Sequence, residues 1–195
     1  MPPSIITTNL LSTLRETPHL PPSTWYLLAA TTLSTLNLPH LIPQVFTHAI
    51  EHTHAPSAST ETKPIISEQL LIARRTREAL VKSSAIIGLP KTINALFSLK
   101  SATPKNLIDD PLGFSPSGRA IDIYNRPPSV VMARGAKFFE KVYGKVTGRV
   151  MGQMDRSGTE DLGLLARLEY GYVLSPTGVL SAAETSYGKF DSSFG

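Results

Sequence analysis

Apolar positions recur with a helical period through most of the chain. The clearest run spans Ser67 to Ile87. Ile72, Ala73, Thr76, Ala79, Leu80, Ser83, Ile86 and Ile87 share one face, with Glu68, Arg74, Arg75, Glu78 and Lys82 opposite. Arg74 and Glu78, then Glu78 and Lys82, stand four apart, a spacing that pairs for ~0.2–0.5 kcal/mol each. The inner face is mostly small, which predicts close approach of another helix. Gly88 suits a left-handed helix end and Pro90 the first turn of a new helix. Residues 90–100, with Ile93, Leu96 and Phe97 on one side, complete an αα-hairpin.

The same pattern predicts an earlier helix over 24–36, opened by Pro22 and capped by Ser23. It is apolar nearly all round and therefore central, although its threonines leave a strand as an alternative. Pro43 starts a helix to about His52, with Val45, Phe46, Ala49 and Ile50 inside. Residues 54–63 read as a loop. Residues 101–128 are rich in Pro and Gly and read as a long connection, of a kind that often carries function. Residues 129–143 are amphipathic. Ser157-Gly158-Thr159-Glu160 reads as a capping box for a last helix to Leu174, stopped by Pro176. Ser181 and Glu184 begin another helix that collapses into an irregular tail at 188–195, as if the chain were shortened there. No strand alternates, so the fold class is all-α. The organisation is an N-terminal extension (1–19), a helical domain (20–187) and the tail.

Composition narrows the chemistry. The 195 residues include no cysteine, which excludes disulfides, thiolate metal sites and thiol redox chemistry. The net charge of +4 is unevenly spread, with residues 61–150 basic and residues 151–195 acidic. No recognition motif accompanies the basic block, so nucleic acid is not an expected partner. The most apolar run is too short for the ~20 residues that span a bilayer, so no membrane role is expected either. Residues 1–20 resemble neither a secretory nor a transit signal, and Ser-Phe-Gly at the end is no peroxisomal address. The expected location is intracellular, with the cytoplasm as default and mitochondria left open.

Few constellations could carry chemistry. His48-Ala49-Ile50-Glu51-His52 matches the literal inverted zinc-protease pattern. All three polar residues oppose the apolar stripe, so a solvated face is expected, and no metal or other cofactor. Arg74, Arg75 and Arg77 point in different directions around one helix. Arg77 lies nearest the apolar edge, where it can reach a carboxylate of a substrate or of a neighbouring helix. Residues 151–161 form a polar, Gly-containing lead into a helix, of a kind that binds anions, although Asp155, Glu160 and Asp161 supply charge of their own.

The stretch Arg74 to Leu96, RRTREALVKSSAIIGLPKTINAL, resembles the carboxymuconolactone decarboxylase and alkyl hydroperoxidase D superfamily. There, a helix ending in Gly-x-Pro is followed by Asn-Ala-Leu or similar. Residues 20–50 are similar to the preceding helix pair, and GQMDRSGTEDLGLLARLEYGYVLS to a mainly fungal branch. The resemblance implies an all-α fold built on αα-hairpins and assembly into homo-trimers or hexamers. The thiol members carry a Cys-x-x-Cys pair and a histidine, whose places fall near Pro39, Ile42 and Val45 here. The family's peroxidase or peroxiredoxin-type activity is therefore opposed by the residues present. Decarboxylase members need no cysteine. The resemblance thus implies action on a small anionic lactone or carboxylate, with Arg77, Glu78 and His48 as candidate catalytic residues. The alternative is a non-catalytic structural or binding member.

Overall fold

The computed structural model describes residues 5–18, 20, 21, 23–53, 65–109 and 116–190, with side chains left aside at 65–67 and 187–190. These residues form helices and no strand, so the all-α class holds. The chain falls into two compact units. The first holds residues 1–114 and 187–195, the second residues 115–186. The division lies inside the stretch read as one long connection, and that stretch itself holds helical turns at Lys105–Leu107 and Arg119–Tyr124.

The first unit contains α1 (Thr8–Arg15), α2 (Trp25–Thr35), α3 (Ile42–Glu51), α4 (Ile65–Ile87) and α5 (Leu89–Ala102). The residues read as an N-terminal extension thus include a helix, which buries Leu11 and packs on α2 and α3. Helix α2 is central, as its all-round apolar pattern requires, and packs on α3, α4 and α5. Its cap is Thr24 rather than Ser23, and the hydroxyl of Thr24 donates to the Pro21 carbonyl. Pro22 lies outside the described residues, as does the loop expected over 54–63. At the far end of α2, Asn37 takes φ 57°. Its N–H donates to the Ser34 carbonyl and that of Leu38 to the Leu33 carbonyl, a Schellman closure with Asn at the left-handed position. Lys91 of α5 donates to the Thr35 carbonyl at 2.7 Å and satisfies one more group at the same helix end.

The α4–α5 hairpin forms where the small-residue seam predicts it. Ala73, Thr76, Ala79, Leu80 and Ser83 are buried on α4, and Ala95 and Leu99 on α5. The buried hydroxyls of Thr76 and Ser83 donate to the Ile72 and Leu80 carbonyls of their own helix, so neither is left bare in the core. The hinge residue Gly88 has φ 82° and ψ 161°, a combination open in practice only to glycine. One expectation fails here. Glu78 and Lys82, placed on the polar face, are both buried, with Nζ 3.9 Å from Oε1.

In the second unit, α6 (Arg119–Tyr124), α7 (Pro128–Tyr143), α8 (Thr147–Ser157) and α9 (Thr159–Leu168) are followed by a π-helical segment, Glu169–Leu174. Helix α7 lies directly against that segment. A Cβ on Gly135 would stand 2.5 Å from the Gly171 backbone nitrogen, so only glycine fits the crossing. Two carbonyls of the segment are held by arginine side chains. Arg134 donates to the Gly171 carbonyl and Arg119 to that of Val173. Arg134 also holds Asp122 through both terminal nitrogens, and Arg126 holds the same carboxylate at 2.8 Å.

The lead-in at 151–157 is helical rather than a loop, and Ser157 ends α8 with its hydroxyl on the Met154 carbonyl. No capping box forms at Ser157–Glu160. Instead, Thr159 turns the chain at φ 58°. The reciprocal box sits at Ser181 and Glu184. The Ser181 N–H donates to Glu184 Oε2 at 2.9 Å, and the Glu184 N–H to Ser181 Oγ at 3.2 Å. The helix it opens, α10 (Ala182–Phe190), continues past the point read as an irregular tail, and residues 191–195 lie outside the described residues.

Candidate functional site

Four helices of the first unit converge on a cavity of about 330 Å³. Its position follows from local sequence. Helix α4 contributes Glu68, Leu71, Ile72 and Arg75, which recur at the three-, four- and seven-residue spacings of one helix face. The start of α2 contributes Ser23, Trp25 and Tyr26. The end of α1 contributes Arg15 and Glu16, and the end of α3 contributes Ala49, His52 and Thr53. Gln69 ties α4 to α3 by donating to the Ile50 carbonyl at 3.1 Å. Arg75 ties α4 to α2, its Nη2 donating to the Ser23 carbonyl at 2.9 Å. The floor is therefore aromatic and aliphatic, and the rim carries charges of both signs. A volume at the small end of the usual ~300–1,000 Å³ suits one small organic molecule.

A histidine pair backs this wall. The rings of Trp25 and His48 meet edge to face with centroids 5.7 Å apart, and His48 and His52 lie 4.0 Å apart at 32°. His52 Nδ1 is 2.9 Å from the His48 carbonyl. A carbonyl only accepts, so Nδ1 carries the hydrogen. His48 is buried, and its Nε2 has no hydrogen-bond partner among the described residues. Burial, the His52 ring and the Arg15 guanidinium together hold the His48 imidazole below its ordinary value, with Glu51 opposing them.

The three residues expected to act together do not converge on the cavity. His48 is buried behind the wall, whereas its helix position predicts a solvated face. Trp25 covers it, a contact between residues 23 apart that helical periodicity does not register. Arg77 is committed to Asp109, with Nη2 2.6 Å from Oδ2, and Arg74 holds the other oxygen at 2.8 Å. Burial alone would raise the Asp109 carboxyl. The hydrogen bonds from Arg74 and Arg77 outweigh it and hold the group below its ordinary value. Arg77 was expected to reach a carboxylate of a substrate or of a neighbouring helix, and the carboxylate it holds belongs to Asp109, in the non-helical segment after Lys105–Leu107. Glu78 lies inside the unit with Lys82. The cavity-lining residues Arg15, Glu68, Trp25 and Tyr26 were not singled out by sequence for a site, and Arg75 was weighed only with Arg74 and Arg77 as an arginine cluster. The available signals were the 68–71–72–75 spacing and the single tryptophan. Among the described residues, no three His, Asp or Glu side chains group to hold a metal ion.

The fold and site define an all-α protein with a small, amphipathic cavity among its N-terminal helices. No family model matches the chain, and no solved structure does. It is 34% identical over 167 residues to peroxisomal protein 2 of Schizosaccharomyces pombe, a match covering 86% of this chain and 67% of that protein. Peroxisomal protein 2 of Saccharomyces cerevisiae is 26% identical over 203 residues, covering 83% of this chain and 71% of that one. The chain belongs to the peroxisomal protein 2 family.

Two expectations are corrected by these relatives. Both carry a peroxisomal name, which overturns the cytoplasmic or mitochondrial location. The decarboxylase-type function on a lactone or carboxylate is overturned with it, and the name lends no support to the peroxidase-type or non-catalytic alternatives. The dispersal of Arg77, Glu78 and His48 gives the physical counterpart. No helix among the described residues is long and apolar enough to cross a membrane.

Proposed function

We propose that this chain is a peroxisomal protein that binds a small amphipathic molecule in the cavity between α1, α2, α3 and α4. The observation that carries the reading is the cavity itself, lined by the buried Trp25, Tyr26 and Ile72, by the half-exposed Leu71 and by charged side chains of both signs. An apolar interior with a few placed polar groups is the usual build of a small-molecule site. The location rests on the names of the two relatives.

Trp25 is the single tryptophan of the chain and lines the site, so its emission reports on occupancy. Titration of the full chain with 1-octanol, an uncharged amphiphile, shifts that emission to saturation. Leu71→Phe, at a half-exposed lining position, weakens the binding at least fivefold. An emission that never saturates overturns the reading. Co-localisation of fusions at either end of the chain with a peroxisomal marker tests the compartment, and a diffuse signal from both refutes it.

A second reading concerns assembly. Leu89, Ile93 and Phe97 are exposed by 67%, 50% and 67% and fall at i, i+4 and i+8 on α5. Such a stripe supports self-association, to a trimer or hexamer. Light scattering on the full chain tests it. Phe97→Glu lowers the measured mass, and a monomeric wild type refutes the reading. The α4–α5 hairpin also supports kinship in scaffold with the superfamily resembled by residues 74–96, and an experimental structure matched against that scaffold tests it.

A further inference from the structure

Helix α9 carries its large apolar side chains on the outside. Its buried residues are Gly163 and Ala166, followed by Tyr170 and Gly171 in the π-helical segment. The small positions let α8 and α7 approach closely. A Cβ on Gly163 would collide with the Asp155 carboxylate of α8, and one on Gly171 would stand 3.4 Å from the Val131 carbonyl oxygen of α7. Successive residues turn by about 100° around the helix, so Leu164, Leu165 and Leu168 fall on the side away from these contacts. They are exposed by 44%, 52% and 48%. Leucines outside and glycine with alanine inside reverse the ordinary amphipathic arrangement. An exposed apolar stripe of this kind marks a surface that another molecule covers.

The charges beside the stripe say which molecule. Glu160 and Arg167 stand seven apart, two turns of helix, so they share one flank of the leucines. Both are exposed, and neither makes an ion pair among the described residues. The acid lies in the first turn and the base in the last. A flank with acid at one end and base at the other is complementary to itself when reversed. We infer that α9 pairs antiparallel with α9 of a second copy of this chain. A two-fold axis between positions 164 and 165 sets the two leucine stripes against each other, since such an interface uses the same patch on both copies. It also brings Glu160 of each copy beside Arg167 of the other, one pair on each side of the axis. Charges flanking an apolar helical seam set partner and orientation in this way. The helix dipoles agree, because each N-terminus then lies beside a C-terminus. An anionic lipid surface fits the stripe less well, because Glu160 and Asp161 border the leucines where cations would be needed.

This surface belongs to the second unit and depends neither on the cavity nor on the exposed stripe of α5. The test is therefore made on the full chain carrying Phe97→Glu, with mass followed by light scattering over a dilution series. That protein dimerises reversibly. Glu160→Arg and Arg167→Glu each set like charges opposite one another and weaken the dimer by at least about tenfold. The double variant exchanges the two charges and restores the dimer to within about threefold of the starting affinity, a recovery that a merely misfolded variant does not show. Leu165→Asp, at an exposed position, abolishes the dimer while circular dichroism shows the helices retained. Because the chain has no cysteine, Leu165→Cys gives a disulfide-linked dimer on mild oxidation, whereas Gln153→Cys, on α8, does not.

The inference is overturned if the Phe97→Glu chain is monomeric at every dilution, a result that leaves self-association through α5 standing. It is also overturned if the single charge variants dimerise as tightly as their parent, if the double variant fails to recover, or if the dimer survives Leu165→Asp. Flotation of a monomeric chain with phosphatidylserine vesicles would assign the stripe to a membrane surface instead.

Discussion

Trp25 meets His48 edge to face, and the His48 imidazole lies buried in the first unit with Nε2 unsatisfied among the described residues. Burial, His52 and Arg15 keep the ring below its ordinary value of 6.5. The unfolded chain therefore takes up this proton first as the pH falls. Stability declines from about pH 6.5 downward until the folded ring also protonates. His48→Phe keeps an aromatic ring against Trp25 and removes the titration. Urea unfolding at pH 7.5 and pH 5.5 checks this. The wild type loses more stability between the two than the variant does, and equal losses would sink the assignment.

Asp109 collects two arginines of α4 and so fastens the segment after α5 to the middle of that helix. Its role is structural, which separates stability from binding. Arg77→Gln leaves the carboxylate with Arg74 alone and costs about 1 kcal/mol, since Arg77 is one-third exposed and its pairing is screened. Asp109→Asn weakens both bonds and costs about 2 kcal/mol. Neither change alters 1-octanol affinity at Trp25 by more than about twofold, given that neither residue lines the cavity. A tenfold loss of affinity in Arg77→Gln would return this arginine to the site.

The helices legible in the sequence were those whose own pattern decides them. The small seam of α4, the Gly88–Pro90 hinge, the all-round apolar α2 and the amphipathic α7 stand within a residue or two of expectation. Helix α8 was not legible. It contains Gly148 and Gly152 and buries no residue fully, so its support comes from packing against α9 and α7 rather than from propensity. Both capping boxes were visible as patterns, but only Ser181–Glu184 closes. At Ser157 the chain is still inside α8 when the pattern would have it start α9. The site was least legible. Its walls come from four helices spread over residues 15–75, and periodicity reports which face is buried but not what it is buried against. Glu78 and Lys82 show the same limit, because two charges four apart read as a solvated pair until a neighbouring helix covers them.

The crossing of α7 over the π-helical segment depends on Gly135 more than on Gly171. A methyl group on Gly135 would collide with the Gly171 backbone at 2.5 Å, and backbone cannot be displaced as a flexible side chain can. Gly135→Ala is expected to cost about 3 kcal/mol, the upper end for overpacking, despite the better helix propensity of alanine. Gly171→Ala meets its nearest atom at 3.4 Å and costs less, about 1 kcal/mol. Chemical unfolding of the two variants should reproduce that order. The reverse order would mean that the helices do not cross here.

Asp122 is the hub of the second unit, buried and held by Arg134 through both oxygens, with Arg126 as a further donor. The Arg134 hydrogen bonds outweigh the cost of burial and keep the carboxyl below its ordinary value. The contribution is therefore fully present above about pH 4, where the unfolded chain is also ionised, and is lost as the pH falls through the lower folded value. Asp122→Asn weakens the grip on Arg134. That arginine also donates to Ser175 and to the Gly171 carbonyl, so the strain passes into the π-helical segment. The expected cost is about 2–3 kcal/mol at pH 7. The gap between wild type and variant narrows below pH 4 and closes once the native carboxyl is protonated. Unfolding midpoints measured from pH 7 to pH 2.5 give both numbers, and a constant gap across that range would show that charge on Asp122 contributes nothing.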